Sequence, residues 1–242
     1  MPFSRVVGLA MPVGFDVASY DEVNDRVALI ANPNDAAAPW KRNAWFGYAA
    51  AWNGLAYRLR SAIEYDEEFG RLISLGTAPP RDEHYAQERA LFGCVAAALS
   101  AIECLYIGTY CVGSALSPRA FPLLNAVHLN RNPIEVAQKY LAWIPSDTFS
   151  QQLVKVANSS ELTSLADLRN ALAHRGVLPR QHFLSNVGTV PSAVPSNPKA
   201  LAENFVYDGT LSHATTSVPT AWLRQTTSQV VNAFRDFLVR TC

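Results

Sequence analysis

The 242-residue sequence lacks most of the features that announce a function. It has no excess of either charge: 20 basic residues balance 20 acidic ones, and the formal net charge is zero. Proteins that hold long nucleic acids over their whole surface are usually strongly basic, so this balance argues for a local site rather than a broad basic face. There is no Arg-Gly-Gly run and no lysine tail. No two cysteines stand in C-x2-C spacing, which argues against a zinc site. Cys94, Cys104, Cys111 and Cys242 therefore read as free thiols, most of them buried, in a reducing cytoplasm. The sequence also contains no GxGxxG, no GxxxxGK[ST], no HExxH and no GxSxG, which removes the common dinucleotide, nucleotide, zinc-peptidase and serine-hydrolase signatures. The opening M-P-F-S-R-V-V-G-L-A has too short an apolar core for a secretion signal, and a cytoplasmic location is expected.

What is present is helical periodicity. Apolar residues make up 49% of the chain, ample for a packed core, and the length suits one large domain or one domain with an appendage. Residues 1–36 alternate short apolar clusters with Pro, Gly, Asn and Asp, and are expected to form an N-terminal arm or short strands lying on the body. Over 37–75, Trp45, Tyr48, Trp52, Leu55, Leu59 and Ile63 recur at intervals of three and four, which predicts a long helix whose aromatic stripe is core. A second long helix is expected over 82–115. From Leu91 to Val112 its only charge is Glu103, a length that would also suit a membrane span. Its richness in Ala, Gly, Cys and Ser, and the cost of a central carboxylate in lipid, point instead to the central helix of a bundle. A buried Glu103 would need a counter-ion, and Arg169 is the candidate.

Shorter helices are expected after Pro133 and after Asp147, the first burying Ile134, Val136, Ala137, Tyr140 and Leu141. A closing helix is expected over 219–241, with Thr220 as its cap. The stretch 177–218, rich in Pro, Ser, Thr and Asn, reads as a long insert. A small hairpin across Asp208-Gly209 is possible in it by turn chemistry. The expected architecture is all-α: an irregular bundle of about five helices over 37–242, with the arm before it and the insert ahead of the last helix.

Residue types and spacing together suggest chemistry at one place, L-A-D-L-R-N-A-L-A-H-R-G, Leu165 to Gly176. Leu162, Leu165, Leu168 and Leu172 give the helix a buried stripe. Asn170 and His174, four residues apart, share a face roughly opposite to it. Arg169 lies on the flank, about 140° from His174 around the helix. A plain reading is available. His174 and Arg175 suit the negative end of a helix dipole, and Gly176 is a natural helix terminator.

The array Arg169, four residues, His174 resembles the R-x4-6-H signature of the HEPN superfamily, and Asn170 and Arg175 match what many of its members carry. The resemblance implies an all-helical domain, commonly a homodimer, and in many members a metal-independent endoribonuclease of toxin–antitoxin, phage-defence or RNA-processing systems. On this reading Arg169, Asn170 and His174 are the catalytic residues. His174 would take the proton of an RNA 2′-hydroxyl, Arg169 would stabilise the phosphorane, and Asn170 would orient the histidine or a phosphate oxygen. The product would be a 2′,3′-cyclic phosphate, with no cofactor or metal. RNA and an antitoxin protein are the implied partners, and no membrane is. The alternative is a catalytically silent HEPN-like module binding a nucleotide or a protein. His128, His182 and His213 are read as bystanders.

Overall fold

The computed structural model describes residues 11–12, 15–73, 81–123, 131–174 and 212–241, with backbone alone for Arg81 and His174. Among them are seven helices and no strand: α1 (Val17–Ile30), α2 (Pro39–Ile73), α3 (Arg81–Leu116), α4 (Pro133–Trp143), α5 (Thr148–Ala157), α6 (Ser160–His174) and α7 (Ala214–Thr241). The protein is all-α, as its periodicity indicates. The chain divides into two compact units. The first takes Met1–Arg60, Ser100–Ser159 and Leu223–Cys242, and the second Ser61–Leu99 and Ser160–Trp222. Helices α2, α3 and α7 each contribute residues to both.

The first unit is built on rings. Trp45, Tyr48 and Trp52 of α2 are almost wholly buried, with Leu55 and Leu59 beneath them. Tyr20 of α1 stacks on Trp52 at 4.9 Å, and Trp52 meets Phe234 of α7 edge-on. Around α4 and α5, Phe149 stacks on Phe234 and Phe237 while Tyr140 meets it edge-on. Buried phenols need partners, and most find a main-chain carbonyl. Tyr106 donates to Leu153 O and Tyr140 to Thr109 O, both at 2.6 Å, and Tyr20 donates to Trp52 O at 2.7 Å. Asn132 caps α4 ahead of Pro133 and Asp147 caps α5, each by accepting a backbone N–H.

The second unit also has polar ties between its helices. Phe69 and Leu91 are fully buried there, and Gln87 donates to Leu72 O at 3.1 Å. Arg89 pairs with Glu68, and the Cys94 thiol lies 3.5 Å from the Thr220 hydroxyl. Burial pushes the Cys94 thiol up to about 12, and does the same to Cys111 in the first unit, so both are held as neutral packing groups.

Several expectations are corrected. Residues 17–30, expected within an extended arm, form α1. Asp16 accepts from Ser19 N and Oγ to start the helix, and Tyr20, Val23 and Val27 give it a buried stripe of three-and-four spacing. Residues 214–218, expected in the hairpin, are the first turns of α7. The helix begins at Ala214, not at Pro219, which sits inside it as the sixth residue. A proline there sacrifices only the bond to Thr215 O, and the polar ties of this turn hold it regardless. The rest of the insert, 175–211, lies outside the described residues, as do His128 and His182. Helix α2 runs through Gly70 to Ile73, although a glycine weakens a helix interior. Ile134 and Leu141 are exposed, so α4 buries only Val136, Ala137 and Tyr140.

Helix α3 has the length and hydropathy of a membrane span, and 61% of its most apolar window is buried inside the protein. Glu103, expected to be buried, is exposed, so the desolvation argument for a counter-ion at Arg169 falls away.

Candidate functional site

The site residues singled out by the sequence lie on α6, in the second unit. Ser159 donates through Oγ to Val156 O as α5 ends, and Glu161 occupies the first turn of α6, where the helix dipole favours a carboxylate. From there the helix is regular to His174. Leu162, Leu165 and Ala171 are buried, and Leu168 and Leu172 are half-buried. This is the leucine seam, with Ala171 as a member that a count of leucines misses.

Asn170 is exposed, as its position opposite the seam requires. Arg169 is half-buried on the flank. Its Nε is shut away from solvent and has no hydrogen-bond partner among the described residues. An enclosed donor without an acceptor costs about 1–3 kcal/mol, so this guanidinium is suited to receive an anionic oxygen. His174 closes α6, one turn beyond Asn170 on the same face, and its side chain lies outside the described residues. Because α6 is unbroken, Arg169 and His174 project about 140° apart around one helix axis. Regular backbone geometry thus brings Asn170 and His174 to one face and leaves the arginine beside it.

A second polar cluster was not foreseen. His213, just ahead of α7, places Nε2 3.1 Å from Oδ1 of Asp66 on α2, and Thr216 donates to the same oxygen at 2.6 Å. Asp66 is 14% exposed and the imidazole about half exposed. The ring lies over Gly70, where a Cβ would come within 2.6 Å of Nε2, so a glycine is what lets it reach the carboxylate. Asp66 and His213 are 147 positions apart, and nothing in the local sequence signals the pairing. The cluster clamps the first turn of α7 to α2. Among the described residues, no group of three or more His, Cys, Asp or Glu side chains is placed to hold a metal ion.

The neutral net charge conceals a division. By sequence, the first unit holds 13 basic and 9 acidic residues, a balance of +4, and the second 7 basic and 11 acidic, a balance of −4. The Arg169 site therefore belongs to the acidic unit. No family model, no curated protein and no solved structure matches the chain.

Proposed function

We propose that this protein is a HEPN-like, metal-independent endoribonuclease that works as a homodimer in the cytoplasm, in a toxin–antitoxin or phage-defence setting. The observation that carries the reading is Arg169, four residues, then His174 on one helix, with Arg169 half-buried and its Nε enclosed without an acceptor among the described residues. RNA supplies its own nucleophile. The His174 imidazole takes the 2′-hydroxyl proton. As the oxygen closes on phosphorus, charge builds on the phosphoryl oxygens. Arg169, permanently charged and forked, offsets it. Asn170, exposed one turn before His174, is positioned to orient the base or a phosphate oxygen. The leaving 5′-oxygen gains a proton, and a 2′,3′-cyclic phosphate remains. A two-fold dimer would let the arginine of one chain meet the histidine of the other, which a single straight helix does not allow.

The test is RNA cleavage in excess chelator by the wild type and by His174→Ala. Loss of the base lowers the rate by about 10²–10⁴-fold. Equal cleavage by both proteins overturns the reading.

The balance of −4 in the unit that carries the motif counts against a long polyanion and leaves room for a second reading, a silent HEPN-like module that binds a nucleotide or a protein. It expects binding that depends on Arg169 with no cleavage at all.

A further inference from the structure

The first turn of α7 is held differently from the rest of the helix. Of residues 213–218 only Thr216 is buried, and Val218 is 64% exposed. Beyond Pro219 the pattern changes, and Thr220, Leu223, Thr226, Thr227, Val230 and Val231 are all buried. The contacts that dock the first turn are polar and converge on one oxygen. Thr216 donates to Asp66 Oδ1 at 2.6 Å, and His213 Nε2 lies 3.1 Å from the same atom, with the imidazole over Gly70. The turn is also bonded within itself: Ser212 N donates to Thr215 Oγ1 at 3.3 Å, and Ser217 N to His213 O at 2.9 Å. Pro219 marks the boundary. It has no N–H to offer Thr215 O, its ring crowds that carbonyl, and it disfavours the helical conformation at Val218 before it. The anchors on its two sides stand on different helices. Upstream the anchor is Asp66 of α2; downstream it is Cys94 of α3, whose thiol lies 3.5 Å from Thr220 Oγ1.

We propose that residues 213–218 form a strap that docks on α2 through Asp66 and opens as one unit, parting from the rest of α7 at Pro219. Segments that bury little apolar surface open at a lower cost than the core they adjoin. The strap buries no apolar side chain, and the proline removes a helical bond where the strap joins the helix. Its docked position therefore rests on the two contacts with Asp66, while the helix beyond Pro219 rests on its own buried face. Docked, the strap leaves the Asp66 side chain 14% exposed. Open, it bares that carboxylate and the surface of α2 around Gly70, in the unit whose balance is −4. The first turn of α7 is thus a two-position device with Asp66 as its catch. Simple fraying of a helix end differs in kind. A frayed end loses protection residue by residue, whereas a strap loses it all at once.

The experiment is native-state amide hydrogen exchange of the full chain, read by NMR without urea and in low urea. The expected result is one shared protection factor at Thr216, Ser217 and Val218, on the order of a hundredfold below that of Val230 and Val231. It should be insensitive to low urea, because opening the strap exposes little surface. Asp66→Ala lowers the shared factor by about tenfold, and Val230 and Val231 keep theirs. Pro219→Ala, which restores the bond to Thr215 O, raises the shared factor by at least about tenfold and brings in the urea dependence of the rest of the helix. Protection that climbs stepwise from Thr216 through Leu223 is fraying and overturns the proposal. So does wild-type protection at Thr216, Ser217 and Val218 equal to that of Val230, or a Pro219→Ala variant whose first turn exchanges like the wild type's.

Discussion

The two units reach a packed state by different means. A network of ring–ring contacts runs through the first unit, from Tyr20 on Trp52 to Phe149 between Phe234 and Tyr140. In the second unit, where no ring stack is described, the helices are tied by Asp66 to His213 and Thr216, Glu68 to Arg89, and Gln87 to Leu72 O. Ring packing is strong and hard to rearrange, because buried aromatics fill volume that nothing else can fill. An ion pair at an exposed side chain, such as that of Arg89 with Glu68, is weaker. The sequence motif stands in the second unit.

The largest effect should come from removing a ring. Phe149 is fully buried and touches Tyr140, Phe234 and Phe237, so Phe149→Ala is expected to cost about 3–5 kcal/mol in urea unfolding. A matched pair of glycines then isolates rigidity itself. A Cβ at Gly113 would meet the Phe121 ring at 2.8 Å, and one at Gly93 would meet the Tyr65 ring at the same distance. Phe121 is fully buried among Tyr110, Tyr140 and Trp143 and has nowhere to go. Tyr65 is half-buried and can swing outward. Gly113→Ala should therefore lose about 1–3 kcal/mol to overpacking. Gly93→Ala should come out near neutral, the gain of about 1 kcal/mol in helix propensity offsetting the displaced ring. Equal losses at the two positions would break the contrast between the units.

The same contrast explains what was legible in the sequence. Long periodic runs such as Trp45 to Leu59 declare their buried face because core packing repeats with the helix, and α2 and α3 fall within two residues of their expected ends. Helix α1 was hidden because Val, Asn and Asp within it favour strands and turns. What decides for helix is tertiary: Tyr20 against Trp52, with the cap at Asp16. Glu103 was misplaced because a single charge in an apolar run reads as buried, whereas the run turns one narrow face to solvent. At the site, the positions of Asn170 and Arg169 follow from helix geometry alone and could be read directly. Asp66 with His213 could not, since a pairing over 147 residues leaves no periodic trace.

That pairing gives the next prediction. Asp66→Ala removes the acceptor of both Thr216 and His213 and is expected to cost about 1–3 kcal/mol. The loss should be local. Amide exchange should quicken at Thr215, Thr216 and Ser217, while amides around Phe234 keep their protection. Uniform acceleration along α7 would mean that the clamp supports the whole fold and that the second unit is no looser than the first.

The smallest effect tests whether the ring-built unit also leans on a polar tie. The Ser19 backbone N–H, then its hydroxyl, hold the Asp16 carboxyl below its usual value of 3.8, with Arg235 and Asn232 of α7 adding to the effect and partial burial opposing it. A depressed carboxyl contributes stability above its unfolded pKa and loses it as pH falls through the folded one. Asp16→Ala should therefore cost about 1 kcal/mol at neutral pH. The gap between the wild type and the variant should then narrow in acid, as pH falls below 3.8 and through the lower folded-state value, leaving what the neutral capping oxygen still contributes. Asp16→Asn, which keeps a capping oxygen without the charge, should retain most of the stability and lose the pH dependence. If Asp16→Ala instead unfolds like the wild type at every pH, the stack of Tyr20 on Trp52 holds α1 by itself, and ring packing accounts for the first unit without help from its caps.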